Sequence, residues 1–175
     1  MKEKNKKPIK ASALDPKFKY EISKMPGGEK LMRCFQCGTC TSGCPISRFS
    51  DIYSPRRIIR MTQLGMKDKV LNSDMLWLCA SCFTCIDRCP QDVDVADVVR
   101  LLRNLAVEKG IIPPSFRKIA EIIAKNGRVF EDDSFLNEIR GDLGLPAITS
   151  ASREDIVKIL QKTNVTNLNQ KGGSK

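Results

Sequence analysis

Eight cysteines, arranged in two matching runs, are the residues of this chain whose types and spacing indicate chemistry. The first run is Cys34-Phe-Gln-Cys37-Gly-Thr-Cys40-Thr-Ser-Gly-Cys44-Pro45, and the second is Cys79-Ala-Ser-Cys82-Phe-Thr-Cys85-Ile-Asp-Arg-Cys89-Pro90. The repeat period is 45 residues, and the two runs contain every cysteine of the chain. Each run has the spacing C-x₂-C-x₂-C-x₃-C-P, with which proteins ligate [4Fe–4S] clusters.

The spacing also predicts how the cysteines divide between two clusters. A cubane presents four iron corners, and each corner takes one soft thiolate. Three cysteines at intervals of three positions let the chain loop around one cluster, and the fourth, followed by proline, ligates the other cluster. The predicted ligands are Cys34, Cys37, Cys40 and Cys89 for cluster 1, and Cys79, Cys82, Cys85 and Cys44 for cluster 2. We therefore predict two [4Fe–4S] clusters held close together.

Other uses of eight cysteines fit the pattern less well. A disulfide framework belongs to small secreted chains, and the lysine-rich start of this sequence is followed by no apolar export segment. Two Cys₄ zinc sites would use cysteine pairs and would need neither the third cysteine nor the Cys-Pro. Clusters with a purely structural role, in a factor that processes nucleic acid, remain a third alternative.

Composition narrows the function further. The chain of 175 residues contains no histidine, which excludes imidazole ligation of haem or zinc, Rieske-type clusters and histidine acid–base catalysis. With all eight thiolates coordinated, no iron is free for a substrate, so we predict electron transfer and no active site. The net charge is +10. Two oxidised clusters with their thiolates would each contribute about −2, which weakens the case for nucleic-acid binding.

The sequence predicts that the elements that position the cysteines are helices, and the predicted fold class is all-α. Between the runs, Ser54 is a good N-cap, Pro55 suits the first helical position and Gly65 can end the helix. A short helix over 75–78 leads into the second run. Asp94 can cap a helix that ends near Gly110. Three further helices are predicted, one ending near residue 127, one over 134–140 and one over about 152–162.

These elements suggest four parts of the chain. Residues 1–25 are predicted to be an extended N-terminal arm, and residues 26–110 a two-cluster domain. Residues 111–163 are predicted to form a helical C-terminal extension, and residues 164–175 a disordered tail. No apolar run is long enough to span a bilayer, so we predict a cytoplasmic protein without direct membrane insertion. Arg56 and Arg60 would share one helix face, which would either dock an acidic partner, offset cluster charge, or simply be solvated.

Three stretches carry a resemblance to a known family. They are Arg33-Cys-Phe-Gln-Cys-Gly-Thr-Cys-Thr-Ser-Gly-Cys-Pro45, Ser54-Pro-Arg-Arg-Ile-Ile-Arg60 and Leu76-Trp-Leu-Cys-Ala-Ser-Cys-Phe-Thr-Cys85. Two such runs separated by a helical insert resemble the α-helical ferredoxin domain. Within this group the chain resembles the C subunit of the soluble heterodisulfide reductase of methanogenic archaea, over about residues 20–145. Iron–sulfur subunits of succinate, fumarate and glycerol-3-phosphate enzymes contain related modules.

The resemblance implies a role as an electron conduit. In that family, electrons pass from a flavin-containing A subunit to a catalytic B subunit, which reduces the disulfide of coenzymes M and B. The flavin would perform electron bifurcation, and a hydrogenase or formate dehydrogenase would feed it. Related proteins that fuse this module to cysteine-rich catalytic repeats contain a Cys-Cys pair, which this chain lacks. The expectation is a non-catalytic electron-transfer subunit; the alternative is the same role in a succinate, fumarate or glycerol-3-phosphate dehydrogenase.

Overall fold

The computed structural model describes residues 9–130, 133–148 and 153–163, and these residues form helices and turns without a β-strand. The prediction of an all-α fold is confirmed. The chain divides into two compact units, Met1–Lys109 and Gly110–Lys175. No helix among the described residues is both long enough and apolar enough to cross a membrane. The predicted tail over 164–175 and the first eight residues of the predicted arm lie outside the described residues.

The described part of the first unit contains eight α-helices and two short 3₁₀ helices, Ala11–Ala13 and Leu31–Arg33. The α-helices are α1 (Phe18–Ser23), α2 (Thr39–Ser42), α3 (Pro45–Phe49), α4 (Pro55–Gln63), α5 (Lys67–Leu71), α6 (Met75–Leu78), α7 (Thr84–Asp87) and α8 (Val95–Glu108). The two longest, α4 and α8, pack against each other, and shorter helices surround them. The cysteine runs lie in the short elements, so α4 and α8 supply the rigid body on which the cysteine loops are mounted.

Helix α4 forms as its sequence predicts. The hydroxyl oxygen of Ser54 accepts a hydrogen bond from the backbone N–H of Arg57 at 3.3 Å, and Pro55 occupies the first turn. Ile58 and Ile59 are fully buried on the inner face. Gly65 then adopts the left-handed conformation with φ of +73°, and its carbonyl accepts from the backbone N–H of Asp15 at 2.8 Å. The predicted start and end of this helix are both confirmed.

Helix α8 is the central element of the first unit. It contacts α4, α5, α6 and α7, and its inner face is buried through Val98, Val99 and Leu102. Asp94 stands at the N-cap position, as predicted, but its side chain makes no capping hydrogen bond. Its carboxylate lies 3.4 Å from the ammonium group of Lys30 instead. The prediction is right about where the helix starts and wrong about what this carboxylate does, because an ion pair distant in sequence competes with the local cap.

The prediction of an extended arm over residues 1–25 is wrong for its second half. Phe18 and Ile22 are fully buried in α1, which packs against α4. Lys67 of α5 reaches back to α1, where its ammonium group lies 2.6 Å from a carboxylate oxygen of Glu21. Prolines and lysines dominate the composition of this stretch, but two apolar side chains four positions apart suffice to fix one helical face on the core.

The second unit is also helical. Its described helices are α9 (Pro114–Asn126), α10 (Ser134–Asp142) and α11 (Arg153–Lys162), close to the three predicted segments. The carboxylate of Asp133 accepts from the backbone N–H of Phe135 at 3.0 Å, which caps α10. Gly127 ends α9 with φ of +75°, as the sequence predicts. Helices α9 and α11 pack together, yet neither α9 nor α10 contains a buried residue.

Candidate metal centre

All eight cysteines lie in the described residues, and none of them is paired in a disulfide there. Short elements of the first unit present them. Cys40 lies in α2 and Cys85 in α7, while Cys44 and Cys79 flank α3 and α6. Each run is thus folded into tight turns around a single helical turn, α2 in the first run and α7 in the second.

Cys34, Cys37, Cys40 and Cys89 come together as one group, although Cys89 belongs to the second run. Burial raises the pKa of the Cys40 thiol, and the neighbouring charges of Cys34, Cys37 and Cys89 raise it further. Such crowding of thiolates is unfavourable unless a cation neutralises it. The first three cysteines of run one therefore share their neighbourhood with the last cysteine of run two.

An ion pair ties the same two parts of the chain together. The ammonium group of Lys30, shortly before the first run, lies 2.6 Å from a carboxylate oxygen of Asp92, shortly after the second run. The hydrogen bond to Lys30 lowers the pKa of Asp92. The backbone N–H of Val93 donates to the sulfur of Cys89 at 3.2 Å. These contacts place Cys89 near the N-terminal start of the first run.

Cys44, Cys79, Cys82 and Cys85 form the second group, and they line one cavity. Burial raises the pKa of Cys85 to about 12, with added contributions from Cys79, Cys40 and Cys82. The rest of the cavity wall is mostly apolar. It consists of Ile46, Tyr53, Pro55, Ala80, Phe83, Thr84 and Ala96. Three cysteines of run two thus meet the last cysteine of run one, which repeats the arrangement of the first group with the runs exchanged.

The two groups are neighbours. Helix α2 packs against α7, and the charge of Cys40 contributes to the raised pKa of Cys85. Beside them the two Cys-Pro corners approach closely: a Cβ placed on Gly43 would lie 3.0 Å from a guanidinium nitrogen of Arg88. Gly43 precedes Cys44 and Arg88 precedes Cys89. A larger residue at position 43 would therefore first displace the flexible end of the Arg88 side chain.

The loops of the two runs share an unusual backbone conformation. Gln36 and Gly38 in the first run have φ of +68° and +91°, and Ser81 and Phe83 in the second run have φ of +51° and +61°. These are matching positions, immediately before and after the second cysteine of each run. Alternating left-handed residues curl a chain so that successive N–H groups converge, which suits a negatively charged group. Phe83 holds this conformation with a bulky side chain, a strain typical of functional loops.

Thr39 and Thr84 are matching residues that contact matching cysteines. The sulfur of Cys37 lies 3.4 Å from the hydroxyl oxygen of Thr39, and that of Cys82 lies 3.5 Å from the hydroxyl oxygen of Thr84. Each hydroxyl holds the pKa of its cysteine below the ordinary value. Hydroxyl and amide donors near a thiolate stabilise its negative charge and tune any metal centre that it holds.

The sequence alone did not identify three side chains that support the cysteines. Tyr53 is buried, and its hydroxyl hydrogen-bonds Cys79. Burial raises the pKa of this tyrosine, and the hydrogen bond raises it further. Arg103 of α8 donates to the carbonyl oxygens of Leu76 and Cys79 at 2.6 and 2.7 Å. The side-chain amide of Gln63 donates to the carbonyl of Cys34 at 3.2 Å. Arg103 is a cation on the apolar stripe of α8. This irregularity is the feature of the sequence that could have identified it as a supporting residue.

The donor set fits a cubane cluster better than a single ion. Within the part of the chain that the structure describes, no three cysteine or acidic side chains converge closely enough to share one metal ion. Ligands of one zinc ion lie about 2.3 Å from a common point, whereas a cubane separates its four thiolates, one at each iron corner. Two neighbouring groups of four free thiols, with curled loops and sulfur-directed donors, suit two such clusters.

The all-α fold and the two cysteine groups define a dicluster protein of the helical ferredoxin class. Residues 30–93 match the family model described as a 4Fe-4S dicluster domain. The chain is 36% identical over 163 residues to the iron–sulfur C subunit of the CoB–CoM heterodisulfide reductase of Methanopyrus kandleri, covering 88% of this chain and 84% of that protein. It thus belongs to the family of heterodisulfide reductase C subunits.

Two further relatives support the assignment. One is the C subunit of the H₂:CoB–CoM heterodisulfide, ferredoxin reductase of Methanothermobacter thermautotrophicus, 34% identical over 91% of this chain and 89% of that protein. The other is the iron–sulfur C subunit numbered 2 of the CoB–CoM heterodisulfide reductase of Methanocaldococcus jannaschii, 38% identical over 79% of this chain and 77% of that protein. The resemblance predicted from the cysteine runs is confirmed.

Proposed function

We propose that this chain is the electron-relay subunit of a heterodisulfide reductase. It would carry electrons from a flavin-containing A subunit to a catalytic B subunit that reduces the disulfide of coenzymes M and B. A hydrogenase or a formate dehydrogenase would supply the larger assembly. The observation that carries the proposal is the meeting of two groups of four thiols side by side, in a chain whose relatives are iron–sulfur subunits of such reductases.

The ligand sets that we propose are crossed between the runs. Cys34, Cys37, Cys40 and Cys89 would hold cluster 1, and Cys79, Cys82, Cys85 and Cys44 would hold cluster 2. A bound [4Fe–4S] cluster supplies a centre that takes up and releases single electrons. The residues of the chain orient the thiolates, donate hydrogen bonds to their sulfurs and restrict water around the second group through an apolar wall. Because each cluster would take cysteines from both runs, the clusters would also link the two runs to each other.

A relay without an active site follows from the use of the cysteines. The proposed ligand sets account for all eight thiols, and the chain has no histidine. A disulfide substrate needs either a free thiol or an open coordination site for its reduction, and this chain would offer neither. The disulfide chemistry therefore belongs to another protein of the assembly.

Anaerobic purification of the native assembly tests this proposal. The expected eluate contains a flavoprotein and a cysteine-rich catalytic protein in fixed ratio with this chain, which itself carries about eight iron and eight acid-labile sulfide. Electron paramagnetic resonance should then show reversible reduction of both clusters. A reproducible eluate with a succinate, fumarate or glycerol-3-phosphate dehydrogenase instead would contradict the assignment. Clusters that do not reduce at all would contradict any relay.

A further inference from the structure

Three exposed arginines lie on the solvent face of α4, beside the first cysteine group. Arg56, Arg57 and Arg60 line an open groove together with Cys34, Phe35, Gln36 and Ser54. We refer to Arg56, Arg57, Arg60 and Phe35 as the α4 arginine surface. Since Cys34 is a proposed ligand of cluster 1, this groove leads from solvent to the edge of that cluster.

The positive charge of this surface is not neutralised by the described part of the chain. There, Arg57 and Arg60 form no salt bridge, and Arg56 only donates weakly to the carbonyl oxygen of Gln36, at 3.5 Å. Helix α4 contains no acidic residue. Arg57 lies in its first turn, where the helix dipole favours acidic side chains and disfavours basic ones. The stability of helix α4 itself therefore gives no reason for basic residues at this end.

Phe35 adds an exposed aromatic ring to the surface. Its side chain is 61% exposed although it directly follows Cys34, and it shares the groove with the arginines. Arginine and aromatic side chains are the residue types that dominate the binding energy at the centres of protein interfaces. The opposite face of α4, with Ile58 and Ile59, is fully buried, so the exposed residues are free to serve a partner.

We propose that the α4 arginine surface docks an acidic protein surface of a redox partner, and so brings the redox group of that partner to the edge of cluster 1. This inference rests on the proposed relay function. A protein fits better than a nucleic acid for two reasons. The three charges would contact few phosphates, whereas strong non-specific binding typically uses about 6–10 such contacts. The proposed clusters would also offset part of the net charge of +10, which weakens the attraction of the chain for a long run of phosphates.

The first experiment compares association kinetics of the full chain with both clusters bound. The variant Arg57→Gln/Arg60→Gln removes two charges of the α4 arginine surface and leaves Arg56, which lies over Gly38, in place. The matched control, Lys24→Gln/Lys69→Gln, removes two exposed charges from α5 and the end of α1. Each form is mixed with the separately purified flavin-containing and catalytic partners between about 0.05 and 0.5 M KCl.

We expect the arginine variant to associate about tenfold more slowly than wild type at low salt with one of the two partners, and the gap to close as salt rises. The lysine control should follow the wild type. If the arginine variant keeps the wild-type rate and salt dependence with both partners, the docking inference is wrong and the relay function stands. If the wild type binds neither partner, the relay function itself fails.

A second experiment identifies which residues of this chain contact the partner, and it does not require a variant that binds less well. Arg57→Lys and Arg60→Lys keep the charge and add an amine that a carbodiimide can couple to a carboxylate. Cross-links from Lys at position 57 or 60 to Asp or Glu of a partner are expected in the assembled complex, identified by mass spectrometry. Cross-links from Lys24 and Lys69 alone would contradict the proposal, as would tight, salt-sensitive binding of a short double-stranded DNA that the double arginine variant loses.

Discussion

Cys40 and Cys85 come from different runs, 45 positions apart in the sequence, yet the charge of the first contributes to the raised pKa of the second. They occupy matching positions in α2 and α7, and these two helical turns pack together. The contact therefore makes the two cysteine groups neighbours. For a relay this proximity matters, because electron transfer between two centres slows steeply as the distance between them grows.

If the ligand sets are crossed, cysteine variants from different runs should impair the same cluster. Cys37→Ser and Cys89→Ser should impair the same cluster, because both thiols lie in the first group, although they belong to different runs. Cys82→Ser and Cys44→Ser should impair the other. Electron paramagnetic resonance of the reduced variants measures which signal is lost, and iron content measures how much. Loss of the same signal in Cys89→Ser and Cys82→Ser would overturn the crossing.

The two threonines beside the cysteines should set the cluster potentials separately. Thr39→Val removes the hydroxyl beside Cys37, and Thr84→Val removes the hydroxyl beside Cys82. A hydroxyl that donates to a thiolate stabilises the more negative, reduced cluster, so each valine should lower the potential of one cluster, by about 20–60 mV. Anaerobic redox titration followed by electron paramagnetic resonance measures both potentials.

Matched serine variants separate the hydrogen bond from the packing of the side chain. Thr39→Ser and Thr84→Ser keep the hydroxyl and should leave the potentials within about 10 mV of wild type, since the donor to the sulfur is retained. A serine variant that shifts its cluster as far as the valine variant does would mean that the methyl group, rather than the hydroxyl, is responsible. The variants at Thr39 should leave the potential of the second cluster unchanged, and the variants at Thr84 should leave that of the first unchanged, so each pair is the control for the other.

The sequence predicts those parts of this fold whose causes are local. The cysteine spacing, the Ser54-Pro55 start of α4 and the glycine at its end act within a few residues, and each is found where expected. Contacts distant in sequence were not predictable in this way. Asp94 pairs with Lys30 instead of capping α8, and Phe18 is buried on a core that only the complete fold creates. Phe83 holds a left-handed conformation that its residue type disfavours.

Arg103 should hold the second cysteine run in place. Its guanidinium donates to the carbonyls of Leu76 and Cys79, joining α8 to the turn that carries the first cysteine of that run. Arg103→Met leaves both carbonyls without this donor and should destabilise the first unit by about 2–4 kcal/mol. Arg100→Met is the control on the same helix, because Arg100 is exposed and, among the described residues, contacts Asp97 and the ring of Phe83; it should cost less than about 1 kcal/mol.

Unfolding of the cluster-loaded chain, followed by circular dichroism and by cluster absorbance, measures this difference. We expect Arg103→Met to lose its cluster absorbance earlier in the transition than wild type, since the backbone next to Cys79 is released. Equal destabilisation by Arg100→Met and Arg103→Met would show that the carbonyl contacts contribute nothing specific.

The burial of Phe18 predicts that the N-terminal segment contributes to the stability of the first unit. Phe18 is fully buried in α1, while Tyr20, two positions along the same helix, is 54% exposed. Phe18→Ala should destabilise the unit by about 3–5 kcal/mol, and Tyr20→Ala by less than about 1 kcal/mol, because only the first leaves a cavity in the core. Chemical denaturation of the two variants in the same holo background gives both values. Near-equal, small losses would restore the interpretation of residues 1–25 as an unpacked arm, whereas a large difference shows that the helix before the first cysteine is part of the body that holds the clusters.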